Sequence, residues 1–306
     1  MAEAARMRYR IIHTTRFEYA EPASDSQNEL RMRPWDRDGQ RCLAFDLSVN
    51  EPASTVEYSD FFGNRAHSIS VSVPHRKLEI VAKSIVEVEP PATPATTGVT
   101  LAEFLRGDAV RNNVYCEYLS PSEFIPFSER LRKFFWMARP QEQEDIGSYV
   151  MRMVEYVRDQ FEYETRSTHV HSSLNDILNS GGGVCQDFAH LTIGILRLAG
   201  VPARYVSGYL APLAASSGLD VTAQASHAWL EAWLPGLGWC GYDPTHRCAT
   251  DGRHIVVAIG RDYADVPPLR GVYRNGGGEA LMTVDLRVEF TDNGGTSGGS
   301  PGGQQQ

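Results

Sequence analysis

The feature that most constrains the fold is a change in hydrophobic periodicity near residue 90. Before it, apolar residues alternate with polar ones, as in β-strands whose two faces meet different surroundings. Beyond it, apolar residues recur every three or four positions, as on amphipathic helices. Pro90, Pro91 and Pro94, followed by a Thr/Gly stretch to Thr100, interrupt both patterns. We therefore expect two domains joined by a linker at 90–100.

The residues before the linker predict an antiparallel β domain over 1–89. From Tyr9 to Tyr19 every second side chain can face the same side of a strand. The other alternating segments are 43–49, 69–73 and the residues from Leu78 onward. Asp38-Gly39 and Gly63-Asn64 supply turns between them. Short strands separated by turns are typical of a β-sandwich-like domain, and we place no functional site there.

Beyond the linker, the pattern predicts an α+β domain over 101–290. Apolar faces with helical spacing run over 131–138 and 146–157. Strand-like segments follow at 203–210, 227–234, 238–243, 254–259 and 281–290. Because helices and strands come in separate runs, the layout is α+β rather than alternating. The Gly-, Ser- and Gln-rich residues 291–306 are expected to form a disordered tail.

Composition narrows the class of protein. The chain of 306 residues is 42% hydrophobic and lacks an apolar run that resembles a signal peptide or a membrane span. Its five cysteines are an odd number without CxxC spacing, which favours free thiols and a cytoplasmic location. The net charge of −9 is dispersed, and no basic stripe exists to follow phosphates. We therefore expect neither nucleic acid nor a membrane as a partner.

The segment GGGVCQDFAHL, residues 181–191, predicts a cysteine at the start of a buried helix. Apolar side chains surround this helix on all sides, and Gly200 followed by Pro202 marks its end. Unpaired N–H groups and the positive end of the helix dipole at Cys185 stabilise negative charge on sulfur or on an oxyanion. An inert core cysteine is the alternative. Asp187 opposes activation unless it turns away to cap the helix.

A thiol nucleophile needs a base and an orienting acid, and residues 227–245 offer both. His227 to Leu234 and Trp239 to Asp243 alternate as two strands around Pro235-Gly236-Leu237-Gly238. If this hairpin folds about Pro235, His227 lies opposite Asp243 on the same face. Taken alone, a histidine on a strand and an aspartate before a proline each also have a purely structural explanation. Their order after Cys185 predicts a site of Cys185, His227 and Asp243 in one cleft.

These segments carry a family resemblance. GGGVCQDFAHL, GVPARYVSGYL and SHAWLEAWLPGLGWCGYDPTH closely resemble the transglutaminase-like superfamily over about 144–246, and the strand-rich region resembles the domain that precedes this core in bacterial members. The resemblance implies a papain-like core, with a central helix packed on an antiparallel sheet. It also implies Cys185 as nucleophile, His227 as base and Asp243 as the orienting acid.

The expected reaction is cleavage of an amide or peptide bond through a Cys185 thioester, without a cofactor. Peptide or protein amides are the expected substrates, and water is the preferred acceptor. Transfer to an amine is the alternative, favoured if Trp229, Trp233 and Trp239 wall a dry channel rather than pack across the hairpin. A non-catalytic protein-binding scaffold is a third reading. The second oxyanion donor and the oligomeric state stay unassigned.

Metal sites are weaker alternatives. His169 and His171 share a face if their segment is a strand, and with His190 or Cys185 they offer zinc ligands. Asp36 to Gly39 superficially suggests a calcium loop, but a hairpin turn explains these residues better. We expect no metal. Cys42, Cys116, Cys240 and Cys248 are interpreted as structural or incidental.

Overall fold

The computed structural model describes residues 6–91, 96–107, 113–164, 174–212 and 226–291. The segment with His169 and His171, and nearly all of the tail, lie outside the described residues. None of the helices in the described part is both long and apolar enough to cross a bilayer.

The first strands form an antiparallel sheet around one very long strand. They are β1 (Met7–Leu30), β2 (Gln40–Val49), β3 (Ser54–Ser59), β4 (Arg65–Val71) and β5 (His75–Val88). They run in the order β2-β5-β1-β4-β3, so β1 is central, with β5 beside its first half and β4 beside its second. The amino-terminal β domain is therefore confirmed, and its strands belong to one sheet.

Helices follow, with two short strands. They are α1 (Leu101–Arg106), a 3₁₀ turn (Asn113–Tyr118), α2 (Glu129–Met137), α3 (Ile146–Gln160), β6 (Glu162–Tyr163), α4 (Leu174–Ser180), β7 (Gly182–Gly183) and α5 (Cys185–Leu198). Side chains cap several of them. The hydroxyl of Ser128 accepts the Leu131 N–H, and the Asp145 carboxylate accepts the Ser148 N–H.

A second antiparallel sheet completes the core. Its strands are β8 (Ala203–Leu210), β9 (His227–Leu234), β10 (Gly238–Asp243), β11 (Cys248–Ala249) and β12 (His254–Gly260), in the order β11-β10-β9-β8-β12. Helix α5 packs on one face of this sheet, and the predicted α+β core with a central helix is confirmed. The β9 residues that contribute to this apolar core are Ala228, Leu230, Ala232 and Leu234.

The last two strands differ from the expected domain division. After a 3₁₀ turn (Tyr263–Asp265), β13 (Leu269–Asn275) and β14 (Leu281–Phe290) both pair with β1 in the amino-terminal sheet. The segment 269–290 therefore does not extend the β8–β12 sheet. Strand periodicity indicates that a segment is extended, whereas it does not indicate which strand lies beside it.

The two sheets pack together through a shared core. It contains side chains of β1, β5, β8, β12 and β14, including Tyr9, Val86, Tyr209, Ile255 and Leu286. The side-chain amides of Gln40 and Asn64 each bond the N–H and C=O of one β12 residue, at Val256 and Ile259, over 2.8 Å. The amino-terminal domain therefore supplies the partners that an edge strand would otherwise lack.

Candidate active site

Cys185 is the first residue of α5, as the sequence predicts. The preceding glycines are required by backbone geometry. Gly181 has φ of +77°, and a Cβ on Gly183 would lie 2.5 Å from Ile177 Cδ1. Gly182 and Gly183 pair in parallel with β6, which brings the chain into the helix along a short strand. The approach to Cys185 is therefore held by pairing and by close packing.

Asp187 caps the start of α5, as the sequence allows. Its Oδ2 accepts the N–H of Val184 over 3.0 Å. This bond satisfies one of the N–H groups that the start of α5 leaves unpaired. The carboxylate thus turns back along the helix entry.

His227 begins β9, and its imidazole meets the carboxylate of Asp243 at the end of β10. Nε2 of His227 lies 2.7 Å from Oδ2 of Asp243, and both side chains are buried. The two residues lie on the face of the sheet opposite α5. The predicted contact between them is therefore present.

The hairpin register differs from the sequence prediction. Trp239 pairs with Trp233 and Gly241 with Glu231, so facing residue numbers sum to 472 rather than 470. The loop has three residues, 235–237, and Gly236 and Gly238 both have φ of +77°. A shift of two residues keeps every side chain on its predicted face. Asp243 consequently reaches His227 along a diagonal.

The other side of the imidazole faces the thiol. The Cys185 side chain is a hydrogen-bond partner of the His227 ring, which Asp243 holds through Nε2. Burial lowers the pKa of His227, but the hydrogen bonds to Asp243 and Cys185 outweigh burial and raise it to about 9. The ring therefore favours its protonated form at neutral pH.

Asp243 is surrounded by donors. Besides His227, Oδ2 lies 2.7 Å from His246 Nδ1 and 3.2 Å from His254 Nε2. Oδ1 accepts the N–H of Thr245 over 2.8 Å. Burial raises the pKa of this carboxyl, but the three imidazoles hold it well below its usual range. Asp243 is therefore a fixed negative charge behind His227.

Two tyrosines flank the sulfur. Tyr163 pairs with Gly183 in the β6–β7 ladder, and its ring packs edge-on against Phe188, one turn into α5. Tyr205 on β8 is buried. Burial first, and then proximity to Cys185, raises the pKa of both hydroxyls. Both are therefore neutral beside the thiol.

Comparison with known proteins identifies relatives of both parts of the chain. Residues 9–87 match the bacterial transglutaminase-like N-terminal region, and residues 137–244 match the transglutaminase-like superfamily. The second range contains Cys185, His227 and Asp243. The uncharacterized protein ML0607 of Mycobacterium leprae is 34% identical to this chain over 93% of this chain and 98% of that protein.

The chain belongs to the transglutaminase-like superfamily. Rv2569c, an uncharacterized protein of Mycobacterium tuberculosis, is also 34% identical, over 92% of each chain. A protein-glutamine gamma-glutamyltransferase of Pseudomonas aeruginosa is 37% identical over 31% of this chain and 15% of that protein.

Among solved structures, a protein of Cytophaga hutchinsonii described as a candidate cysteine protease is similar to this transglutaminase-like protein. The TM-score is 0.74 at 21% identity, over 95% of this chain and 93% of that one. At this identity the likeness concerns the fold, which is shared across both domains.

Potential metal ligands of this transglutaminase-like protein are engaged in other bonds. Within the described ranges, ligand atoms of His227, Asp243 and His246 lie within 4.8 Å of one another. The same atoms form the hydrogen bonds above, so a metal ion would have to replace those bonds. His190, one of the predicted zinc ligands, is buried and accepts the Tyr263 N–H over 3.1 Å. Asp38-Gly39 forms a turn closed by pairing of Arg37 with Gln40.

Sequence reasoning missed His246, His254 and Asp251. His246 lies three residues after Asp243 in a tight turn, and this local spacing is a signal that could have identified it. His254 has no such signal, because its approach to Asp243 depends on the pairing of β12 with β8. Asp251 follows from His254, whose Nδ1 lies 3.1 Å from its carboxylate.

The tryptophans pack as side chains of the fold. Trp229 is buried against Val206, Val256 and Ile259. Trp233 and Trp239 pair across the hairpin and contact Tyr115. These contacts of the three tryptophans are thus with neighbouring strands and with the 3₁₀ turn at 113–118. The other four cysteines are free, and burial raises the pKa of Cys240 to about 11.

Proposed function

We propose that this protein is a thiol-dependent acyl-transfer enzyme that cleaves an amide or peptide bond and passes the acyl group to water. One observation carries the proposal: the buried His227 ring is hydrogen-bonded to both the Cys185 side chain and the Asp243 carboxylate. This is the arrangement of a nucleophile, a base and an orienting acid. Cys185, His227 and Asp243 are the proposed catalytic residues.

The acylation step uses the raised pKa of His227. His227 holds the proton of Cys185, and the sulfur attacks the substrate carbonyl carbon to form a C–S bond. Backbone N–H groups at the start of α5, including that of Cys185, face the negative oxygen that develops. The C–N bond then breaks as His227 donates its proton to the leaving amine. The products are an amine and a Cys185 thioester.

Deacylation reverses the proton transfer. His227, now neutral, accepts a proton from water as the water oxygen attacks the thioester carbonyl. The C–S bond breaks, the acid is released, and the proton stays on the imidazolium that pairs with the sulfur. Asp243 stabilises that imidazolium in both half-reactions because it stays ionised.

The acceptor decides between hydrolysis and amine transfer. Similarity to the Pseudomonas aeruginosa gamma-glutamyltransferase favours transfer as the second candidate. Incubating the purified protein with a glutamine-containing protein, with and without a labelled primary amine, separates the two. Hydrolysis releases ammonia or new amino termini without label incorporation, whereas transfer attaches the label covalently.

Cys185→Ala is the control for both outcomes, since neither reaction proceeds without the thiol. A scaffold would give no acyl product and would keep its binding after this substitution. The cytoplasmic location stays a prediction, supported by the free cysteines.

A further inference from the structure

A second buried histidine stands behind the orienting acid. His254 begins β12, its side chain is 2% exposed, and its Nε2 lies 3.2 Å from Asp243 Oδ2. For comparison, His246 contacts the same oxygen but its side chain is 46% exposed. Water can replace the imidazole of His246, whereas removal of the buried imidazole of His254 leaves the carboxylate short of a donor.

His254 is itself held in place from its other side. Its Nδ1 lies 3.1 Å from both the backbone nitrogen and Oδ1 of Asp251. Asp251 is fixed in turn by Arg253, whose Nε donates to Oδ2 over 2.9 Å. The ring also packs edge-on against the buried Trp229, at 5.3 Å between centroids. The orientation of the His254 ring is thus fixed by its neighbours.

These contacts form a chain of polar groups that ends at the sulfur. From Arg253 it passes through Asp251, His254, Asp243 and His227 to Cys185. His254, Asp243 and His227 are buried, so solvent replaces few of the bonds among them, whereas the Asp251 side chain is 46% exposed. Along these hydrogen bonds, His254 reaches the thiol through Asp243 and His227.

We propose that His254, held by Asp251, is a positioning residue that fixes the Asp243 carboxylate with Oδ2 towards His227. The two carboxylate oxygens turn together about the Cβ–Cγ bond, and the backbone N–H groups of 245 and 246 bond Oδ1. The donor from His254 restricts that rotation. The inference rests on the proposed function, since it assigns a residue that supports the same catalytic groups.

The test follows alkylation of Cys185 by iodoacetamide at pH 7, read by mass spectrometry of the intact protein and its peptides. We expect His254→Ala to slow alkylation about tenfold, by analogy with the partners behind metal ligands, whose loss costs about 10- to 100-fold in metal affinity or activity. His254→Gln retains an N–H donor and should recover most of the rate. His75→Ala is the matched control, since His75 is buried and bonded to Ser26 within the amino-terminal sheet.

A double-mutant cycle separates positioning from general damage to the fold. In an Asp243→Ala background, adding His254→Ala should change the rate less than twofold, because His254 acts through Asp243. Equal effects in both backgrounds would overturn the proposal, as would wild-type alkylation by a folded His254→Ala protein. If that variant fails to fold, Asp251→Asn replaces it, and an unchanged rate there overturns the proposal.

The proposed function fails differently. It fails if the wild-type Cys185 reacts no faster than the exposed Cys116 of the same molecule. If Cys185 of the wild type is alkylated faster than Cys116 but the effects of His254→Ala and Asp243→Ala are additive, only the proposed role of His254 is overturned.

Discussion

The two faces of the β8–β12 sheet differ in the chemistry that they carry. Towards α5, alternate β9 residues from Ala228 to Leu234 enter a large apolar core. On the opposite face, His227, Trp229 and Glu231 meet the amino-terminal domain or the catalytic groups. One strand therefore supports packing with half of its side chains and chemistry with the other half.

We call the face with His227, Trp229 and Glu231 the polar face, and the face towards α5 the apolar face. Charged groups and amides stabilise the polar face, in addition to burial. Glu231 is buried between Arg204 and Arg37, the latter from the amino-terminal domain. Burial raises the pKa of Glu231, but the two arginines outweigh it and lower the pKa. Directional bonds of this kind fix relative positions, which nondirectional apolar packing does not. The amino-terminal domain thus holds the strand that carries His227.

The largest expected effect separates chemistry from stability. Cys185→Ala should lower acyl-transfer activity by roughly 10⁴-fold or more, because a missing nucleophile removes the covalent step. The midpoint of thermal unfolding should stay near that of the wild type, since the thiol adds little to packing. A loss of activity explained by unfolding would contradict this separation.

On the polar face, Glu231→Ala should destabilise the fold by about 3–5 kcal/mol, because Arg204 would stay buried without its partner. Urea unfolding measures this change. Glu129→Ala is the control: its pair with Lys133 is 82% and 74% exposed, and exposed pairs contribute little. Similar losses for both variants would show that burial of the ion pair is unimportant.

On the apolar face, Leu230→Ala should destabilise the fold by about 2–5 kcal/mol through the cavity that it leaves under α5. Leu230 has no exposed surface. Because Leu230 lies on the other face from His227, we expect this variant to leave the pKa of His227 unchanged. The pH dependence of Cys185 alkylation measures that pKa. A shift in that dependence would show that the two faces are coupled.

At the domain boundary, Gln40→Ala should cost about 1–3 kcal/mol, because the buried N–H of Val256 would lose the amide oxygen that accepts it. Limited proteolysis should then cut the boundary faster. Gln27→Ala is a suitable control, since Gln27 is exposed and its amide bonds the hydroxyl of Ser70 in the amino-terminal sheet. Resistance equal to the wild type would indicate that water replaces the amide.

The last expected effect is a dependence of the free energy of unfolding on pH. The pKa of His227 rises from 6.5 to about 9 on folding, so its stabilisation is complete below pH 6.5 and is lost as pH rises through 9. We expect a decline of about 1–3 kcal/mol in the free energy of unfolding over this interval. His227→Gln should lack the decline, and an equal decline in that variant would assign it to other groups.

Local patterns were sufficient for much of the fold and the site. The start of α5 at Cys185 and the strands of the hairpin follow from glycine, proline and apolar spacing within a few residues. The pairing partner of β14 and the approach of His254 depend on residues far away in sequence, so no local pattern contains them. The hairpin register is only partly predictable from the local sequence. Its loop length depends on which glycines adopt positive φ, and two of them do.

The most direct test of the central claim compares two thiols in one molecule. Under limiting iodoacetamide at pH 6–7, peptide mass spectrometry follows the half-buried Cys185 and the exposed Cys116. We expect Cys185 to react at least about tenfold faster in the wild type, because the imidazolium of His227 stabilises its thiolate, and to lose this advantage in His227→Gln. Reaction of Cys185 at or below the rate of Cys116, or an advantage that survives in His227→Gln, would contradict a paired thiol and imidazole.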